Sequence, residues 1–260
     1  MIKRPKFIIL LYHKIGKYPQ HAKFPGLYVS GEDFDRQIKY LKKSGYSFLT
    51  LSELKSLYDY YYCAPLSPAA QNLTSKADLI NESGKYASIT FDDGSKSVYS
   101  EGFKIMSSNK IKAAVFMVSG LIGGINEWDM KNGENSDEML NLTELQEMSQ
   151  YGIEIGAHTL THPRLTKITR EEAYKEILLS KKNLEKLTGS DINFFAYPYG
   201  DYNEETEKLV KKAGFYGACV TKTGLVKKGA DFFALKRIAI RHNTDFLKFK
   251  RKIFKVRLFY

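Results

Sequence analysis

Cysteine is nearly missing from this chain of 260 residues: Cys63 and Cys219 are the only two, far apart and in no CxxC or finger spacing. That excludes a disulfide scaffold and a cysteine-rich zinc site, and fits a reducing compartment. Long hydrophobic runs are missing too. The run Phe7 to Tyr12, within "MIKRPKFIILLYHKIG", is shorter than a signal-peptide core, lacks a small-residue cleavage site and cannot span a bilayer. It reads as a first buried strand. With no other run long enough to cross a membrane, the protein is expected in the cytoplasm, with the inner face of the membrane as an alternative station. Internal repeats and a second domain are likewise absent from the pattern.

What the chain carries in quantity is positive charge, 40 Lys and Arg against 29 Asp and Glu, for a formal +11. Its densest part is "FLKFKRKIFKVRLFY", residues 246–260, with six basic residues and no acid. On a helix, Phe246, Phe249, Ile253, Val256 and Tyr260 make one apolar seam with most of the Lys and Arg off it. Two readings follow: a last helix packed on the domain with a solvated basic face, or peripheral contact with an anionic membrane or lipid substrate. No nucleic-acid module accompanies the charge, so no nucleic-acid partner is expected.

The 43% hydrophobic content is ample for a core. "SGEDFDRQIKYLKKSG" has a polar start, apolar Phe34, Ile38 and Leu41, and a glycine stop at Gly45, which predicts a helix. "YSFLTL" reads as a short strand and "SELKSLYDYYY" as another helix. Residues 62–86 lose periodicity and gather Pro, Ser and Asn, predicting an exposed insertion. Beyond it, strand patterns "ASITF", "KAAVFMV", "GIEIGAH", "NFFAYP", "YGACV" and "FFALKRIAI" alternate with helical patterns at 97–109, 143–151, 169–188 and 203–213. Such alternation predicts an α/β fold with a parallel sheet, closed as a barrel or open and doubly wound, over 1–245, followed by the tail 246–260. In either form catalytic groups gather at the carboxyl ends of strands, where Asp92, Asp93 and His158 fall.

Three stretches carry chemistry. In "ASITFDDGSKS" two adjacent carboxylates end a buried strand, where they repel unless a cation or a proton relieves them. In "EIGAHTLTHPRL", His158 and His162 stand four apart after another strand, and two imidazoles plus a carboxylate make a common shell for a divalent metal. If Asp93 joins them, the repulsion is relieved and Asp92 is left ionised as a general base. A backbone turn before Gly94 is the plain alternative for the Asp pair. In "FFAYPYGDYN", Pro198 fixes the backbone and Gly200 permits a bend, so Tyr199 can present its N–H to a cleft as an oxyanion donor.

"TFDDG", "HTLTH" followed by "PRL", and "YPYG", in this order, resemble the first three motifs of the polysaccharide deacetylases with the NodB homology domain, carbohydrate esterase family 4. The likeness runs from "LLYHKIG" through "GLIGGINEWD" to "LKRIAI", most of the chain apart from the insertion and the tail. It implies a single-domain, distorted (β/α) barrel that removes acetyl groups from N-acetylated sugars. It assigns Asp92 as general base, Asp93, His158 and His162 as ligands of one divalent metal, and the Tyr199 backbone as oxyanion donor. Zinc suits a His₂Asp set with open positions, with cobalt, nickel, iron and manganese as alternatives. Trp128, the single tryptophan, sits in "NEWDMKNG", where its ring either stacks on a sugar or anchors a lid; Pro198 and Tyr199 complete the expected substrate contacts.

The chain departs from the family in two places. Many members carry an Arg two residues before the proline of the third motif, to hold the base; here that position is Ala196, and Arg237 in "LKRIAI" is the nominated replacement. The late histidine that would act as catalytic acid lacks its usual surroundings, which leaves His242 in "AIRHN", His13 after the first strand, or a proton recycled by His158 or Asp92. The leading expectation is a metal-dependent de-N-acetylase on a glycan or a lipid-linked glycan precursor. The alternatives are a catalytically impaired barrel that binds a glycan or partner, and a related deformylase or O-deacetylase. His21 has no motif around it and is expected at the surface.

Overall fold

The structure, a computed structural model, describes residues 5–63, 79–130, 133 and 135–259, with side chains to Lys255. Strand β1 (Lys6–Tyr12) is apolar after its first residue because both of its faces are covered. Ile8, Leu10 and Tyr12 face the helices, whereas Phe7 and Ile9 face the inside of the curled sheet. A two-stranded ribbon, β2 (Lys14–Ile15) with β3 (Tyr28–Val29), leads to α1 (Gly31–Lys43), capped by Ser30 and buried through Phe34, Ile38 and Leu41. Then come β4 (Tyr46–Phe48) and α2 (Leu51–Tyr62), whose Thr50 and Glu53 form a capping box. The next strand, β5, runs Lys85–Phe91. The ends of the stretch 62–86 therefore belong to regular elements, and most of the expected insertion, residues 64–78, lies outside the described residues.

A wide helical turn over Val98–Phe103 runs into α3 (Lys104–Ser108), followed by β6 (Ala114–Met117), α4 (Glu127–Met130) and α5 (Leu142–Tyr151). The chain continues through β7 (Glu154–Ala157), α6 (Arg170–Thr188), β8 (Phe194–Ala196), α7 (Glu204–Lys212) and β9 (Gly217–Cys219) to β10 (Ile238–Ala239) and α8 (Phe246–Phe259). Every pairing in the main sheet is parallel, in the order β10, β1, β5, β6, β7, β8, β9, with β4 beside β5.

The sheet curls into a distorted barrel, and one stretch closes it. Leu235 pairs with Cys219 of β9, donating its N–H to Ala218 O at 2.9 Å, and three residues later β10 pairs with β1. Only two residues of "FFALKRIAI" are strand, which shortens the expectation: Asp231 accepts the Phe233 N–H and turns the chain just before the closing contact. The far end of the barrel is plugged by α2, whose Leu51, Leu54, Leu57 and Tyr58 pack into the inner cluster with Phe7, Ile9 and Phe116. The Glu154 carboxylate of β7 accepts the Leu51 and Ser52 N–H groups at 2.6 and 3.1 Å, an anion at a helix N-terminus. With that end shut, chemistry is confined to the carboxyl ends of the strands.

Candidate active site at the carboxyl ends of the strands

Asp92 extends the β5–β1 pairing by one bond, donating its N–H to Tyr12 O at 3.0 Å. Its side chain points into the barrel, 2% exposed, and the next two residues reverse the chain at φ 74° (Asp93) and 77° (Gly94). Aspartate tolerates the left-handed region; at the second position a Cβ would lie 2.2 Å from Met117 Sδ, so only glycine fits without displacing a buried side chain. Adjacent carboxylates thus diverge.

Arg237, fully buried, lies against the first. Its Nη1 and Nη2 donate to Asp92 Oδ1 and Oδ2, both at 2.7 Å, Nη1 also reaches Thr90 Oγ1 at 3.1 Å, and Nε donates to Val220 O at 3.1 Å. This two-pronged pair is the strong form of a charged hydrogen bond. Burial pushes the Asp92 carboxyl up, but the charge and hydrogen bonds of Arg237 more than offset it and hold the pKa below the ordinary carboxylate value. Position 196, where many family members place Arg, is here a buried methyl of the inner cluster. The guanidinium comes instead from the closing stretch.

His158 and His162 flank Asp93. His158 Nδ1 lies 2.7 Å from Ala196 O; a carbonyl only accepts, so Nδ1 carries the proton and Nε2 turns toward Asp93. The following loop is unusual: Thr159 and His162 both have positive φ, 68° and 67°. Thr159 Oγ1 accepts the His162 N–H, and Glu176 of α6 accepts the N–H groups of Leu160 and Thr161 and the Thr161 hydroxyl at 2.8–2.9 Å. Glu176 carries no local motif, and sequence reasoning missed it. Glu176→Ala is expected to lower stability by about 1–3 kcal/mol, the cost of three bonds to one carboxylate. It should also weaken metal affinity by about tenfold to a hundredfold, since the loop orients His162. Urea unfolding and a metal titration read the two effects separately.

Asp93 Oδ1, His158 Nε2 and His162 Nε2 form a triangle with edges of 3.2, 3.3 and 3.3 Å. Electron-rich atoms this close require a cation or a shared proton between them. For a tetrahedral centre with bonds of about 2.0 Å the ligand atoms would stand ~3.3 Å apart, so the residues fit a divalent ion of zinc's size. Burial raises the Asp93 pKa, but hydrogen bonds from His158 and His162 more than offset it and hold it well below the usual range. Burial lowers His158, which Asp93 more than offsets, so its pKa is raised; burial dominates at His162, which is lowered.

These groups share a small pocket, about 90 Å³, with His13, Trp128, Asp129, Tyr199 and Thr221. Trp128 packs its ring on His162 at 4.2 Å, is 8% exposed and lines the pocket. The loop that carries it is tied down: Asn126 Nδ2 donates to Asp129 at 3.1 Å, and buried Lys14 stands 3.3 Å from Asp137 and 3.9 Å from Asp129. Tyr199, at φ 60°, also meets the His162 ring, tilted at 4.7 Å, is 41% exposed, and is backed by Arg164 at 4.0 Å. Pro198 is buried behind it. His13 lines the pocket, and burial holds its pKa below the ordinary histidine value. His242 does not line it: exposed beside Tyr18, whose ring it meets edge-on at 5.8 Å, it stands outside the site. His21 is exposed.

The family model for polysaccharide deacetylases matches residues 80–218, just over half of the chain. The chain is 28% identical over 238 residues to YxkH of Bacillus subtilis, whose own naming as a polysaccharide deacetylase is provisional; the match covers 92% of this chain and 72% of that one. It is 26% identical over 262 residues to a poly-beta-1,6-N-acetyl-D-glucosamine N-deacetylase of Staphylococcus aureus, covering 92% of this chain and 80% of the other. Among solved structures, the deacetylase PplD of Streptococcus pyogenes, in complex with acetate, superposes with a TM-score of 0.74 at 25% identity, covering 98% of this chain and 99% of that one.

Proposed function

This chain belongs to the polysaccharide deacetylase family, and from that premise we propose that it hydrolyses the acetamide of an N-acetylated amino sugar in a glycan, with a divalent cation held by Asp93, His158 and His162. The observation that carries this reading is a second carboxylate beside that triangle, Asp92, kept ionised by a buried guanidinium. A divalent ion in the triangle, zinc being the best match to His₂Asp, would polarise the acetamide carbonyl and acidify a water at neutral pH. Asp92 accepts the proton of the attacking water as its oxygen bonds to the carbonyl carbon. The Tyr199 N–H, fixed between Pro198 and Gly200, is the donor for the developing oxyanion. The C–N bond then breaks, and the departing amine takes a proton from His13, the nominated acid that lines the pocket. Burial keeps His13 neutral at rest, so it receives within the turnover the proton that Asp92 has taken.

A pocket of about 90 Å³ is far below the ~300 Å³ at which drug-sized ligands are enclosed, so it takes an acetamido group and leaves the sugar ring at the mouth. There the half-exposed Tyr199 ring offers an apolar platform. The polymer in the name of the Staphylococcus relative, β-1,6-linked N-acetylglucosamine, is the substrate to try first.

The test is acetate and free-amine release from short β-1,6-linked N-acetylglucosamine chains and other N-acetylated oligomers by metal-loaded protein. Asp92→Asn is expected to reduce the rate by about 10²–10⁴-fold while the metal content stays the same. Equal activity in the variant would remove Asp92 from the mechanism. No acetate from any oligomer would remove the reading itself.

A further inference from the structure

Helix α8 has two apolar sides, and the fold uses one of them. Phe249 and Ile253 are 0% and 2% exposed, and Tyr40 of α1 packs edge-on against Phe246 and Phe249 at 5.7 and 6.1 Å. Lys252 ties the same side down, donating to Ala239 O at 2.6 Å. The described part of the expected seam, Phe246, Phe249 and Ile253, therefore faces the protein, and Val256 and Tyr260 lie outside the described side chains. On the opposite side Leu247 and Phe254 are 52% and 60% exposed. Seven residues apart, they stand one above the other two turns along the helix.

Around these two side chains lie Lys248, Arg251 and Lys255, all exposed. The chain has no acid anywhere from 246 to 260. Lys248 meets Asp245 at 3.3 Å, but among the described residues neither Arg251 nor Lys255 meets a carboxylate. An exposed apolar pair flanked by unpaired cations suits the plane between lipid headgroups and acyl chains, where the apolar groups enter and the cations stay with anionic headgroups. The helix is already seated on the barrel by its other side, so no ordering cost stands against binding.

We propose that the outer face of α8, centred on Leu247, Arg251 and Phe254, docks the protein on a bilayer surface carrying anionic headgroups. The exposed apolar pair selects this occupant over nucleic acid, which gives two protruding apolar side chains nothing to enter. The inference stands independently of the reaction at the strand ends.

Co-sedimentation of the whole chain with vesicles tests it. Binding is expected to vesicles of phosphatidylcholine with phosphatidylglycerol, not to phosphatidylcholine alone, and to weaken as salt is raised. The pair Leu247→Ser with Phe254→Ser, both exposed, should reduce partition roughly tenfold or more with the melting temperature unchanged. Arg251→Ser with Lys255→Ser should abolish the preference for the anionic vesicles. Failure of the unaltered protein to bind anionic vesicles, or undiminished binding by both double variants, would overturn the proposal. In the first case the face is left to a protein partner, in the second the lipid contact lies on another surface.

Discussion

Replacing Arg237 with Ala is expected to cost about 3–5 kcal/mol of folding stability and to slow deacetylation by about 10²–10⁴-fold. The size of the first effect follows from what remains. Asp92 stays 2% exposed with both oxygens stripped of their partners, and an unpaired buried charge is among the most expensive single defects a fold can carry. The carboxyl would escape by taking up a proton, and a protonated Asp92 cannot receive another from water.

The pH dependence separates this from simple loss of packing. In the unaltered protein the folded pKa of Asp92 is depressed, so the pair's stabilisation is present above the unfolded value of about 3.9 and is lost as pH falls through the folded value. Without the guanidinium, burial is opposed only by the weaker pull of His158 and His13, so the pKa rises and the acid limb of the rate profile should move upward in pH. Arg237→Lys keeps the charge but not the fork, and should fall between the two. Denaturant melts across acidic pH, beside rate profiles for the three proteins, give the answer. An acid limb unmoved in Arg237→Ala would mean that Asp92 does not set it.

Metal content should come to about one ion per chain in protein purified without chelator, and to none in His158→Ala. Two of the three triangle edges run through His158 Nε2, and its tautomer is set by Ala196 O, so the variant loses both a ligand and the atom oriented for it. An ion that binds the folded chain alone also stabilises it, by about 4 kcal/mol at a thousandfold excess over its dissociation constant. A chelator should therefore lower the melting temperature of the native protein and leave His158→Ala unmoved. Native protein that takes up no zinc, cobalt or manganese would contradict the assignment of the triangle.

How much of this could be read from residues depends on how far along the chain the deciding contact lies. Asp92, Asp93 and His158 were legible because a buried parallel strand announces itself by composition, and its carboxyl end is where such folds keep their chemistry. The first helix was legible from its polar start and the others from their apolar period, and the structure adds the caps: Ser30, Thr50, Asn141, Thr169 and Asn203 each accept an N–H from the first turn of the helix that follows. Arg237 was nominated only because the base needs a cation. Nothing local says that a residue 145 positions away will arrive at Asp92, since that depends on closure of the whole sheet. Trp128 shows another limit, because composition marks an aromatic ring without saying which of its faces the protein covers. Helix α8 shows a third. Its period identified an apolar seam, but the choice between protein and lipid for that seam was made by Tyr40, on a helix some two hundred residues earlier.

The stretch that closes the barrel is also the stretch that delivers Arg237. A chain emerging from the ribosome has its aspartates, its histidines and most of its sheet long before residue 235 appears. Until that stretch docks between β9 and β1, Asp92 lacks the two-pronged guanidinium that holds it ionised in the folded chain, so the proposed base is incomplete. Closure of the sheet and assembly of the proposed base are thereby one event, so acetate release during refolding is expected to report the docking of that stretch.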